Sequence, residues 1–136
     1  MGNIVITKDT SSTNTWSSDV YKKQVYLKWL HLRYTSDATA GNRWIALEIV
    51  DSAGTVIFDS HGGAAQPASK AYHHEFMPGI FRETAWINDK SIQVPIPVGI
   101  VIPANCYIKI ADEGPSGGAA ISAGDSMVIA YQTEEV

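Results

Sequence analysis

The amino-acid sequence predicts an all-β domain, an antiparallel β-sandwich of jelly-roll type with about eight strands. Three observations predict it. From Arg43 to Asp51 the chain alternates in a two-residue period, Ser52-Ala53-Gly54 supplies a turn, and Thr55 to Phe58 runs back in the same period. Side chains that alternate across a pleat make such a pair a β-hairpin, with Ile45, Leu47 and Ile49 on one face and Trp44, Ala46, Glu48 and Val50 on the other. Further β-prone runs recur at roughly ten-residue spacing with turn residues between them, and no segment carries the apolar stripe of a long amphipathic helix.

The elements follow in order. Ile4 to Thr7 is a short β-prone piece, and Lys8 to Ser18 is almost all Thr, Ser, Asn and Asp around Trp16, a composition that reads as a loop or extended arm. The division expected is therefore an arm over 1–18 and a sandwich over 19–136. Trp16 has two readings, packing back onto its own domain or docking on a neighbouring subunit. Val20 to Thr35 is the longest β-prone run. Val25, Leu27 and Trp29 share one parity and Leu30, Leu32 and Tyr34 the other, so a bulge or kink is expected near Trp29-Leu30. Ser36 to Asn42 is a turn, and His61 to Ser69 is a glycine-rich loop. Ala71 to Met77 is a strand ended by Pro78-Gly79, and Glu83–Ile87 with Ser91–Ile96 forms a second candidate hairpin. The proline-dense stretch Pro95 to Pro103 must run as an edge or connection, since proline cannot donate to a central ladder. Tyr107 to Ala111 and Ser126 to Gln132 are the last strands, separated by the loop Gly114 to Gly118.

Composition narrows function by exclusion. A chain of 136 residues buries roughly two-thirds of its unfolded surface and needs no staples to fold. The charged fraction of 18% is low, which favours an oligomer, and the ten Lys and Arg residues are scattered over a chain of net charge -4, which argues against nucleic acid as a partner. Cys106, the single cysteine, sits in an apolar run and reads as a buried small side chain. The amino terminus lacks the pattern of a secretory signal and no apolar run reaches membrane-spanning length, so the expectation is a protein made soluble in a cytoplasm, with no membrane partner.

No constellation marks a reaction centre. His73 and Glu75 share one strand face and would need a third ligand from His31 or His61, while His74 points the other way. The reading is no metal, with His73 towards solvent and His74 packed. No Gly-x-Ser-x-Gly elbow occurs and the glycine pairs open no helices, so catalytic residues, cofactors and enzymatic turnover are not expected. The four tryptophans leave one further possibility: Trp44 and Trp86 could stack on sugar rings, which makes a carbohydrate-binding or host-attachment module the alternative function.

Two segments carry a family resemblance. Tyr34 to Gly54, with its threonine-containing turn, Gly41-Asn42-Arg43, alternating strand and Asp-to-Gly turn, resembles a pattern in small virion proteins of tailed bacteriophages. Pro97 to Ile110 resembles the proline-flanked entry to a late strand in proteins of the same kind. The resemblance covers about a third of the chain. It implies a capsid decoration or cement protein on the outer surface of the head, made in the host cytoplasm and assembling as a small symmetric oligomer, a trimer being expected. It implies contacts with the major capsid protein or other virion proteins, for which Ile4, Trp16 and Tyr21 are the candidate residues. A tail or head–tail connector component is the third reading.

Overall fold

A computed structural model describes residues 2–62, 64–79, 91–112 and 124–136. Ten strands lie among them: β1 (Ile4–Ser11), β2 (Trp16–Ser17), β3 (Val25–Thr35), β4 (Ile45–Val50), β5 (Val56–His61), β6 (Ala71–Met77), β7 (Ser91–Pro95), β8 (Ile100–Ile102), β9 (Tyr107–Asp112) and β10 (Ser126–Glu135). The larger sheet runs β1-β10-β3-β6-β7, with β8 also paired to β3, and the smaller runs β2-β9-β4-β5. The predicted all-β sandwich is the fold observed. The two strands beyond the expected number are the short β2 and β8, of two and three residues.

Alternation decides which side chains meet between the sheets. Leu30, Leu32 and Tyr34 of β3, Tyr72 and Phe76 of β6 and Met127, Ile129 and Tyr131 of β10 face Ile45, Leu47 and Ile49 of β4 and Ile108 and Ile110 of β9 in one continuous core. Burying each large aliphatic or aromatic side chain contributes about 1.5–3 kcal/mol. The opposite face of β4 is closed off as well: Ala46, Glu48 and Val50 are all buried, on a strand flanked by β9 and β5.

The bulge expected in the long strand is present one residue earlier. Gln132 pairs with Trp29 but Thr133 pairs with Leu27, so Lys28 is the extra residue. Leu27 and Leu30 can then both point inwards although three residues apart, while Lys28 and Trp29 both turn outwards. The β4–β5 hairpin closes as its sequence predicts. Asp51 accepts the Ala53 and Thr55 N–H groups on Oδ1, each at 2.9 Å, and Gly54 takes φ +81°, a conformation that suits glycine.

Two features go beyond the sequence expectations. Ser91–Pro95 pairs in parallel with β6, His73 facing Ser91 through to Met77 facing Pro95. A parallel pair needs a long crossover rather than a tight turn. The Glu83–Ile87 half of the expected hairpin and the Gly114–Gly118 loop lie outside the described residues. Residues 4–17, read as a short strand and an arm, form a paired strand in each sheet: β1, over its full length, against Met127–Glu134 of β10, and β2 against β9. Polar Lys8 to Ser11 suits this because an outermost strand keeps one side of its ladder and much of its surface in water. Hydroxyls of Ser11 and Thr13 bond to the Thr15 carbonyl at 2.8 and 2.9 Å, shaping the crossing from one sheet to the other.

Candidate protein-contact face

The outward face of the larger sheet can be laid out from its registers, since residues directly opposite in adjacent strands point the same way. One row reads Ile4, Glu134, Tyr26, Val101 across β1, β10, β3 and β8. The next reads Ile6, Gln132, Trp29. Ile4, Ile6 and Val101 are 57%, 62% and 44% exposed, and Tyr26 and Trp29 are half-buried. The bulge makes this patch, because the parity switch at Lys28 brings Tyr26 and Trp29 out on one side. Polar groups hold it in place: the Trp29 Nε1–H donates to Gln132 Oε1, and Lys28 Nζ lies 3.4 Å from Glu134 Oε2. The result is an aliphatic and aromatic surface with a polar seam, and aromatic side chains of this kind are enriched at protein interfaces.

Further along the same face lie the histidines. His31 stands opposite Glu75, and Arg33 opposite His73, across the β3–β6 ladder. His31 does reach His73, Nε2 to Nδ1 at 3.0 Å, and Glu75 accepts from Gln93 Nε2 at 3.2 Å. Burial, followed by the neighbouring His73, holds the His31 pKa below its ordinary value, while Glu75 acts in the opposite direction. His61 ends β5 in the other sheet. Among the described residues no group of three His, Cys, Asp or Glu side chains is placed to hold a metal ion. His73 is half-buried rather than open to solvent, whereas His74 packs inside as expected. His74 Nε2 donates to Gln66 Oε1 at 2.8 Å, and Gln66 Nε2 in turn reaches the Tyr34 and Lys70 carbonyls.

Of the candidate contact residues, Ile4 is on the exposed face. Trp16 is buried in its own chain, its ring centroid 5.4 Å from that of Tyr131 and its Nε1–H donating to Asp9 Oδ2 at 2.8 Å. Tyr21 is half-buried against the core. Trp44, the candidate sugar platform, is half-buried and its backbone N–H donates to Asp112 Oδ1 at 2.8 Å. Trp86 lies outside the described residues. Cys106 is buried, its Sγ 3.7 Å from the Ala104 carbonyl.

One polar cluster escaped sequence reading altogether. Arg43 is fully buried, and its five N–H donors all find acceptors: Nε and Nη2 on Asp125, Nη2 also on Asp37, and Nη1 on the Thr39 and Gly41 carbonyls. Asp125 also accepts the Tyr34 hydroxyl at 2.7 Å and the Asp37 N–H at 2.9 Å. Burial, then the bond to Asp125, pushes the Tyr34 pKa well above its usual value. A guanidinium with every donor engaged by its own chain has none to offer a substrate. This cluster ties the loop after β3 to the start of β10.

No protein-family model matches the chain, and no curated protein matches it. Solved structures of infectious bursal disease virus align with it. The chain aligns over 97% of its length with 32% of the chain in the crystal structure of the VP2 subviral particle, at 12% identity and a TM-score of 0.33. It aligns over 98% of its length with 42% of the chain in the structure of the Gx strain, at 10% identity and a TM-score of 0.33. These weak structural neighbours are viral capsid proteins. The chain spans less than half the length of either.

Proposed function

We propose that this chain is a structural component of a bacteriophage virion, a capsid decoration protein that stabilises the head by protein–protein contact. The observation that carries the reading is the outward patch of Ile4, Ile6, Tyr26, Trp29 and Val101, apolar side chains aligned in two adjacent rows of one sheet. The resemblance of Tyr34–Gly54 and Pro97–Ile110 to tailed-phage virion proteins supports the same reading. Tryptophan and tyrosine are the side chains that concentrate binding energy at protein interfaces. A stable interface buries about 1,600 Å² in total, and repetition over a lattice multiplies contacts that are individually weak. Such a protein acts through contact area, not turnover.

The test is addition of purified protein to phage heads stripped of their outer proteins, followed by sedimentation. The expected result is saturable binding at a fixed number of copies per head, lost in Trp29→Ala and Val101→Asp while circular dichroism stays native. Binding to a glycan array with no binding to heads would overturn the reading in favour of the carbohydrate alternative.

A further inference from the structure

We propose that β1 of one copy pairs antiparallel with β1 of a second copy, about a two-fold axis through Ile6, joining two larger sheets into one. The proposal deepens the contact reading above by naming one partner as a second copy of the chain.

β1 is the outermost strand of its sheet and pairs with β10 alone among the described residues. The Glu135 N–H donates to the Asn3 carbonyl at 3.0 Å, which makes that facing pair a hydrogen-bonded one. Antiparallel ladders alternate, so Val5, Thr7 and Asp9 also bond towards β10. The N–H and C=O groups of Ile4, Ile6, Lys8 and Thr10 therefore point to the open edge. Two of those four residues are aliphatic and more than half exposed, Ile4 at 57% and Ile6 at 62%. An outer strand with such side chains is a template for another strand.

A two-fold axis normal to the sheet sets same-parity residues against each other; Ile6, Thr7, Lys8 and Asp9 are the centres that keep five or more residues of β1 paired, and an Asp9 centre sets carboxylate against carboxylate. Centring on Lys8 stacks lysine on lysine, and centring on Thr7 sets Ile6 against Lys8. Centring on Val5 places Lys8 opposite Gly2, where little of the strand remains. Centring on Ile6 sets Ile6 against Ile6 and Ile4 against Lys8. Within one chain Ile4 is flanked by Glu134, and Lys8 by the uncharged Ala130. The Ile6-centred pair thus brings Lys8 of the second copy to the strand next to Ile4, two strand spacings or about 10 Å from Glu134. Extended lysine and glutamate side chains span that gap over Ile4, and the symmetry makes the contact twice. The row Trp29-Gln132-Ile6 of one copy then continues into the Ile6-Gln132-Trp29 row of the other, so the two outward patches become one.

Ile6→Cys is the decisive variant. Hydrogen-bonded antiparallel pairs have Cα atoms about 5.5 Å apart, inside the span a disulfide closes. Mild oxidation of the full chain is expected to yield more than half covalent dimer for Ile6→Cys, and none for Thr10→Cys, which faces Gly2. Sedimentation velocity of the unmodified chain is expected to give twice the chain mass, and Lys8→Glu to weaken the dimer at least tenfold. Ile6→Pro removes an outward N–H and spares the bonds to β10, so it should give a folded monomer. A monomer at every concentration, a three-fold assembly, or an Ile6→Cys chain that does not cross-link would each overturn the proposal. If Ile6→Pro fails to fold, cross-linking and Lys8→Glu still decide. A chain that binds heads as a monomer would refute this pairing and leave the decoration role standing. A dimer that binds no heads would do the reverse.

Discussion

Asp125 grips Arg43 at two points, Nε on Oδ2 and Nη2 on Oδ1, each at 3.1 Å, with both side chains shut away from solvent. Residues 82 positions apart are thereby fixed together at one end of the sandwich. Removing one partner of a buried ion pair leaves the other as an uncompensated charge, a loss of about 3–5 kcal/mol. Arg43→Met is therefore expected to lower stability by that amount in urea denaturation. Arg43→Lys, which keeps the charge but cannot bond in a fork, should recover only part of it. Equal midpoints for the native chain and Arg43→Met would remove the cluster's structural role.

Stability should fall in acid because of His74. Burial, reinforced by the charges of His73 and His31, pushes its pKa down to about 3. An unfolded histidine titrates near 6.5, so below that pH the unfolded chain takes up a proton that the folded chain refuses. The stabilisation is complete above pH 6.5 and declines as the pH drops towards 3, at up to about 1.4 kcal/mol per unit. His31, displaced downwards chiefly by burial, adds a decline of the same sign. His74→Gln keeps a donor for Gln66 without titrating. Urea midpoints measured across pH 7 to 4 should fall less steeply for His74→Gln than for the native chain, and identical slopes would contradict the assignment.

Trp16 and Asp9 give a spectroscopic prediction. The indole N–H, ahead of the Thr10 backbone N–H, holds the Asp9 pKa below its ordinary value. Trp16→Phe should return the Asp9 carboxyl towards that value in an NMR titration. An unmoved Asp9 resonance would mean that the indole points elsewhere in solution. Trp16→Ala should in addition cost about 3–5 kcal/mol through the cavity it leaves.

Gly54→Ala tests the hairpin turn. A Cβ there meets nothing within 4 Å, but φ is +81°, so the whole cost is backbone strain of about 1 kcal/mol. A thermal melt should show a fall of a few degrees, and no change at all would place the turn in another conformation.

What the residues reveal in advance and what they conceal divide along physical lines. Parity is local, and so the β4–β5 hairpin and the irregularity at Lys28 could be read from neighbours on the chain. Pairing partners are distant, and nothing in Ser91–Pro95 says that it lies parallel to β6. The Arg43–Asp125 bond is similarly hidden, because each residue alone looks like an ordinary surface charge. Composition misled at Lys8–Ser11, whose polar side chains suit an outermost strand as well as a loop. The outward patch needed both kinds of knowledge: the parity switch was visible, but the alignment of Ile4 and Ile6 with Tyr26 and Trp29 depends on β10 lying between them.

The passage of the first residues from β1 in one sheet to β2 in the other has a practical consequence. Trimming the amino terminus would strip an outer strand from each layer and take an indole out of the interior, so a shortened chain that fails to bind would report collapse and not the loss of an appendage. The role of this segment has to be dissected by single substitutions at Ile4 and Ile6, which leave the seam between the layers sewn.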